Sequence, residues 1–321
     1  MTSSQQNAKL PDVEGQQPLP LHAFPPPTIY PPLKEPHKQT IIFLHGRGYS
    51  ARTFAPSLLA AAVEPGPGSA TLREALPHAR FVFPTAPRSR ATVYRRSIIN
   101  QWYDGSGDWE ETVLGHALET VEFVHGLLRA EIALAGGGAR VALGGFSQGC
   151  AAALVCLLLW EGEKLGGFVG FCGMLPMANV MGEILGEGEA AETEDCSEDD
   201  VFGAESDQES DPFDRGMGTP AFAPRTRALN LLREEIGLHV VMSDSDVTSP
   251  KTPIFLGHGT EDDSVLLRYG EKASRVLQMT GYSVDFQVYQ ALDHWYSTAM
   301  LSDSLRFLRG SKWFEVSKTG Q

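Results

Sequence analysis

The most constraining stretch of the chain is residues 140–160, RVALGGFSQGCAAALVCLLLW, whose composition forces a strand, a sharp reversal and a buried helix in succession. Val141, Ala142 and Leu143 make too short an apolar run for a helix and are closed by Gly144 and Gly145, the pattern of a buried strand end. Residues 150–160 are apolar on every face, so a helix there must be buried rather than half-solvated. At about eleven residues it is far short of the roughly 20 needed to cross a bilayer. Between strand and helix lies Gly145-Phe146-Ser147-Gln148-Gly149, which fits G-x-S-x-G. A reversal that sharp puts the serine in a strained backbone conformation, and flanking glycines remove the Cβ atoms that would clash. The hydroxyl is left exposed at a helix N-terminus, where the amide of Gln148 can donate to an oxyanion. The competing reading, a glycine-rich turn with an idle serine, does not account for the strand before it and the apolar helix after it.

Flanking segments extend the pattern. Residues 40–44 (TIIFL) and 80–83 (RFVF) read as short buried strands, the first ending in the loop His45-Gly46-Arg47-Gly48. Residues 54–63 and 110–131 carry apolar positions at helical spacing, the second run stopped by three consecutive glycines at 136–138. Residues 167–172 and 254–257 are further buried strands, 283–289 an alternating one, and 225–236 and 265–280 helices, with a closing helix from about Trp295. Strands alternating with helices predict an α/β fold, a doubly wound, mostly parallel sheet with helices on both faces. Residues 85–107 have no clean period, and their aromatics Tyr94, Trp102 and Tyr103 favour a packed loop near a site.

The formal charge of −14 is concentrated in one place. Fourteen of the 40 acids and none of the 26 Lys and Arg fall between Glu183 and Asp214, so the remainder is balanced and offers no basic face for nucleic acid. Residues 182–218 are too poor in large apolar residues to offset the entropy of ordering and read as an acidic disordered insertion. Its Ser197 and Ser206, each followed by acids, would suit an acid-directed kinase. Residues 1–37 read as a disordered or extended proline-rich leader, 38–312 as the interrupted domain, and 313–321 as a tail. Four cysteines without a C-x-x-C pair argue for free thiols in a reducing compartment. No signal peptide or stable membrane anchor is visible, so a cytoplasmic location is expected.

A serine hydroxyl needs a base to take its proton and a third group to fix that base's tautomer. In folds built on this elbow the order is Ser, then Asp or Glu, then His. Of the nine histidines, His239, His258 and His294 follow Ser147. His258, like His45, precedes a glycine at a strand end and reads as a loop-shaping residue. His239 has no well-placed acid before it. His294, in the loop after the last alternating strand, is the candidate base. Asp262 and Asp263 stand just past the strand at 254–257, where catalytic groups gather outside the carboxyl ends of strands. Asp262 is the first choice and Asp263 the second. The remaining oxyanion donor is expected from the Gly46-Arg47-Gly48 loop.

The sequences Ile41-Ile42-Phe43-Leu44-His45-Gly46, Gly144-Gly145-Phe146-Ser147-Gln148-Gly149, Cys172-Gly173-Met174-Leu175-Pro176 and His258-Gly259-x-x-Asp262, followed by His294, together resemble the phospholipase/carboxylesterase family, which includes the acyl-protein thioesterases. The resemblance implies an α/β-hydrolase fold and cleavage of ester or thioester bonds with no cofactor and no metal, S-acylated proteins being among the substrates. It implies catalytic roles for Ser147, Asp262 and His294 and oxyanion amides at Arg47 and Gln148. Trp102, Leu175 and Trp295 are the apolar candidates for accepting an acyl chain, against the plainer role of core packing. The chain departs from the family in His45-Gly46-Arg47-Gly48-Tyr49, which sets a cation and an aromatic near the pocket mouth, and in the acidic insertion after Pro176. The alternatives are a small-molecule carboxylesterase or lysophospholipase, and a catalytically silent interaction protein.

Overall fold

The computed structural model describes residues 20–106, 113–187, 222–247 and 252–310. The strands are β1 (Thr28–Tyr30), β2 (Gln39–Leu44), β3 (Ala79–Phe83), β4 (Arg88–Ala91), β5 (Ser97–Asn100), β6 (Asp104–Gly105), β7 (Leu114–Gly115), β8 (Val141–Phe146), β9 (Gly167–Phe171), β10 (Ile254–Gly259) and β11 (Val284–Tyr289). The helices are α1 (Ala51–Ala60), α2 (Leu72–Ala75), α3 (Ala117–Ala135), α4 (Gln148–Leu158), α5 (Ala178–Ile184), α6 (Pro224–Glu235), α7 (Leu267–Met279) and α8 (Thr298–Gly310).

Seven strands form one sheet in the order β1-β3-β2-β8-β9-β10-β11, parallel throughout except for the antiparallel pairing of β1 with β3. A parallel sheet must be covered on both faces, which is why β2, β8, β9 and β10 are buried at every position. Successive residues of a strand face opposite ways. Ile42, Leu44, Leu143 and Leu256 therefore join one core with α3, α4, α6 and α7, while Ile41, Phe43, Ala142 and Phe255 join the other with α1 and α8. Helix α4 is buried along its whole length, as its uniformly apolar sequence requires. Among the described residues no helix is long and apolar enough to cross a membrane.

Three features differ from the sequence reading. The domain begins before residue 38: Thr28–Tyr30 is an edge strand on β3, with the Tyr30 ring edge-on to Phe83 at 5.9 Å. Prolines on either side limit it to three residues without preventing pairing at an edge, where half the ladder is open. Residues 85–107 are not a plain loop, because β4 and β5 form a hairpin and Asp104–Gly105 pairs with Leu114–Gly115. The insertion also starts later than residue 182. Gly182 and Ile184 lie in α5, and Glu187 pairs with Lys272 and, at 3.2 Å, with Arg275 on α7. Residues 188–221, with the two candidate phosphorylation sites, lie outside the described residues, as do 1–19 and 311–321.

Candidate active site

Ser147 sits between β8 and α4 with φ 55° and ψ −125°, a conformation rare for an L-residue. The surrounding glycines are required by contact as well as by flexibility. A Cβ on Gly145 would lie 2.3 Å from the carbonyl oxygen of Gly149, and one on Gly149 would lie 2.4 Å from the carbonyl oxygens of Leu44 and His45. The amide of Ser147 donates to Phe171 O at 2.9 Å, tying the elbow to the end of β9. At the first position of α4, the Gln148 side chain accepts from the Trp102 amide at 3.2 Å and donates to Tyr103 O at 2.8 Å.

The loop after β11 brings His294 to the serine. Gly259 at the end of β10 lets this loop approach closely, since a Cβ there would stand 2.1 Å from Leu292 O. The amides of Thr260 and Glu261 donate to Tyr289 O at 2.9 Å and Leu292 O at 3.0 Å. His294 Nε2 is 2.9 Å from Ser147 Oγ, and Nδ1 is 2.8 and 2.9 Å from the two carboxylate oxygens of Asp262. An ionised carboxylate only accepts, so Nδ1 carries the proton and Nε2 is left to accept from the serine hydroxyl.

Asp262 is the acid turned to His294, its side chain wholly buried, whereas Asp263 is exposed and faces Ser264 Oγ at 3.3 Å. The amides of Ser264 and Val265 donate to Asp262 Oδ1 at 3.0 and 2.7 Å, and His258 Nε2 lies 3.2 Å from Oδ2. Burial pushes this carboxyl up. The hydrogen bonds from His258, His294 and Val265 outweigh it and hold the group well below the usual carboxylate range, so it stays ionised. His258 is therefore more than the loop-shaping residue the sequence suggested. Its Nε2 donates to Val265 O at 2.7 Å and braces the buried acid, and its place four residues before Asp262 was the one available signal.

On the other wall, the loop after β2 is fixed by His45, whose Nδ1 donates to Gly46 O at 2.8 Å and whose Nε2 accepts from the Ala86 amide at 3.0 Å. Burial lowers its pKa to about 4, against the raising effect of the Gly46 bond, so this ring is a neutral structural wedge. The loop's Gly46 and Arg47 line an open cleft of about 230 Å³ together with Ser147, Gln148, His294 and Trp295. Tyr49, Tyr94 and Met174 also line it; the sequence sets the two tyrosines near the site and gives Met174 no place there.

Trp102 and Leu175 do not line the cleft, which corrects their assignment to the acyl site. Both are buried at 1 % exposure, and the Trp102 indole donates to His45 O at 2.7 Å, bracing the β2 loop from behind. Of the three apolar candidates, Trp295 alone faces the cleft, its ring 5.1 Å from that of Phe146. Cys172 Sγ, Asp262 and His294 offer metal-type donor atoms within 4.8 Å of one another. Burial and the neighbouring Asp262 charge push this thiol up, so it is neutral, and a cation there would have to part Asp262 from His294.

Comparison with known proteins bears on the family and the fold. The model of the family Phospholipase/Carboxylesterase matches residues 28–186 and 237–312. The acyl-protein thioesterase 1 of Yarrowia lipolytica is 26% identical over 294 residues, covering 88% of this chain and 96% of that protein. Among solved structures, Arabidopsis thaliana SOBER1 superposes with a TM-score of 0.56 at 21% identity, covering 85% of this chain and 98% of that one. Zea mays acyl-protein thioesterase 2 does so with 0.54 at 21% identity, covering 88% and 97%. These likenesses give the fold, the α/β-hydrolase fold, and the match over most of the domain gives the kinship: the chain belongs to the phospholipase/carboxylesterase family.

Proposed function

We propose that the chain is a serine hydrolase that cleaves acyl thioesters and esters through Ser147, His294 and Asp262, with S-acylated proteins as substrates. The observation that carries this reading is the continuous relay from Ser147 Oγ to His294 Nε2 at 2.9 Å and from His294 Nδ1 to Asp262 at 2.8 Å. Ser147 Oγ attacks the acyl carbon while its proton passes to Nε2. The backbone amides of Arg47 and Gln148 receive the oxyanion, and loss of one such donor typically costs roughly a hundred- to a thousandfold in rate. Collapse breaks the carbon–sulfur or carbon–oxygen bond of the substrate, and His294 returns the proton to the leaving group. A water deprotonated by His294 then attacks the acyl-enzyme, freeing the acid and the serine. Asp262, ionised throughout, holds the imidazole in the required tautomer and stabilises its charged form.

The size of the cleft favours short acyl chains and keeps a small-molecule carboxylesterase as the second reading. At about 230 Å³ it lies below the roughly 300–1,000 Å³ of most small-ligand pockets. The three described cysteines are free and buried, which suits the cytoplasm.

Treatment with a fluorophosphonate, which labels only an activated serine, tests the chemistry by intact mass. One adduct on the wild-type protein and none on Ser147→Ala is expected. No adduct on either sinks the hydrolase mechanism and brings forward the silent interaction protein. Comparing octanoyl and palmitoyl thioesters of one peptide with p-nitrophenyl butyrate then separates the two substrate readings.

A further inference from the structure

The hairpin of β4 and β5 carries four arginines that the proposed chemistry does not use. Arg88 and Arg90 are exposed on one face of β4 and pair with Asn100 and Ile98 across the ladder. Cross-strand partners share a face. The Asn100 amide on that face donates to Tyr49 O at 2.9 Å, and Gly48 N donates to Asn100 O at 2.8 Å, so the hairpin is stitched to the loop that bears Arg47. The tip leads from Tyr94, which lines the cleft and is 54% exposed, into Arg95 and Arg96, both exposed.

Arg95 and Arg96 have φ of 51° and 62°, two consecutive residues in the left-handed region. Turns that need this conformation take Asn and Gly, which adopt it with little strain. An Arg-Arg pair there is locally unfavourable, and strain of that kind is retained where the side chains themselves are wanted. Among the described residues none of Arg88, Arg90, Arg95 or Arg96 forms an ion pair, and the nearby Asp104 is committed to the Thr92 amide at 2.9 Å and the Thr92 hydroxyl at 2.6 Å. Asp108, Glu110 and Glu111 lie outside the described residues.

We propose that this arginine rim selects acyl groups presented on acidic polypeptide, so that the preferred substrate is an S-acylated cysteine flanked by Asp or Glu. The inference rests on the serine-hydrolase reading and names its substrate class. Clefts edged by one sign of charge raise local substrate concentration and association rates by roughly ten- to a thousandfold, falling steeply with ionic strength. The hairpin's own charged side chains, Arg88, Arg90, Arg95 and Arg96, are all cationic, opposite in sign to the chain's net charge of −14. A peptide fits better than an anionic bilayer. Ser147 lies inside a concavity that a peptide bearing the acyl group can enter and a flat surface does not.

The test uses S-octanoylated peptides of one length with Asp/Glu, Ser or Lys flanks, assayed with the full-length wild type, Arg95→Glu/Arg96→Glu, and Arg95→Asn/Arg96→Gly. The expected result is about a tenfold higher kcat/KM for acidic over basic flanks, carried by KM and collapsing in 0.5 M salt (~4 Å screening length there, by the trend with ionic strength). The preference inverts in the Glu variant and vanishes in the Asn/Gly variant, which melts higher because its turn is relaxed. A merely structural role for the two arginines predicts none of these changes in preference. Turnover of p-nitrophenyl butyrate stays within about twofold in all three proteins, since the rim does not touch the reacting atoms. Equal rates for all flanks, a preference that ignores the variants, or activation only by phosphatidylserine vesicles would overturn the proposal while leaving the hydrolase reading intact. Binding of non-hydrolysable thioether peptides to Ser147→Ala, read by fluorescence anisotropy, measures the charge preference directly even if turnover fails: tighter binding of acidic flanks is expected, and equal binding of all flanks overturns the proposal.

Discussion

Replacing Asp262 by Asn exchanges one carboxylate oxygen for an NH2 group and should cost most of the activity. Oδ1 accepts from the amides of Ser264 and Val265 at 3.0 and 2.7 Å, so the amide oxygen of the new side chain would have to occupy that position to keep both bonds. Its NH2 group then takes the place of Oδ2, which now faces His294 Nδ1 at 2.8 Å and His258 Nε2 at 3.2 Å. A donor at that point turns His294 to the tautomer with the proton on Nε2, where it can no longer accept from Ser147. In a serine protease the same exchange leaves the geometry intact and lowers kcat by about 10⁴, or ~5.5 kcal/mol of barrier. A similar loss in kcat is expected here, with KM little changed. The NH2 also confronts the N–H of His258, and an unsatisfied buried donor costs roughly 1–3 kcal/mol. For a domain of this size that is a fall in Tm of about 2–10 °C. Steady-state hydrolysis of p-nitrophenyl butyrate and a thermal melt read the two effects separately. Retention of more than about a tenth of the activity in Asp262→Asn, or an equal loss in Asp263→Asn, would refute the assignment of the acid.

Other perturbations follow from the same contacts. Gly149→Ala drives a Cβ to 2.4 Å from two backbone carbonyls that cannot rotate away, so the variant should lose at least ~3 kcal/mol, the upper end of overpacking costs, visible as a lower Tm or insoluble protein. His45 titrates at about 4 when folded and near 6.5 when unfolded, so the unfolded chain binds the extra proton between those values. Its contribution is complete above pH 6.5, falls by about 3 kcal/mol as pH drops to 4, and should appear as a slope in urea midpoints that His45→Gln lacks. Burial raises Cys150 to about 12, so iodoacetamide at pH 8 should leave it unmodified in the native protein and alkylate it after denaturation, as peptide mass mapping would show.

The elbow was legible because glycine, serine and a uniformly apolar helix admit few packings, and α4 is buried as its composition demanded. His294 and Asp262 were reachable through chain order and strand ends, and their hydrogen bonds, not their spacing, separate Asp262 from Asp263. Trp102 and Leu175 could not be separated from cleft residues, since burial of an aromatic or a leucine is equally apolar in a core or a pocket wall. The β4–β5 hairpin escaped notice because Arg88-Ser89-Arg90-Ala91 alternates small buried with charged exposed residues and offers no hydrophobic period. The strand Thr28–Tyr30 was hidden by its prolines, which mark an edge as readily as a leader.

The order of strands in the sheet also decides how the enzyme would fail. Ser147 leaves β8, flanked by strands on both sides, whereas His294 follows β11, which pairs only with β10 and exposes alternate residues. Proteins open in parts, and an edge strand with half its ladder in water belongs to the low-stability end of that range. Fraying of β11 would carry His294 away from Ser147 while β2, β8 and β9 keep their ladders. Activity thus reports the free energy of one local opening rather than of global unfolding, and heat or denaturant should silence the site while most of the molecule is still folded.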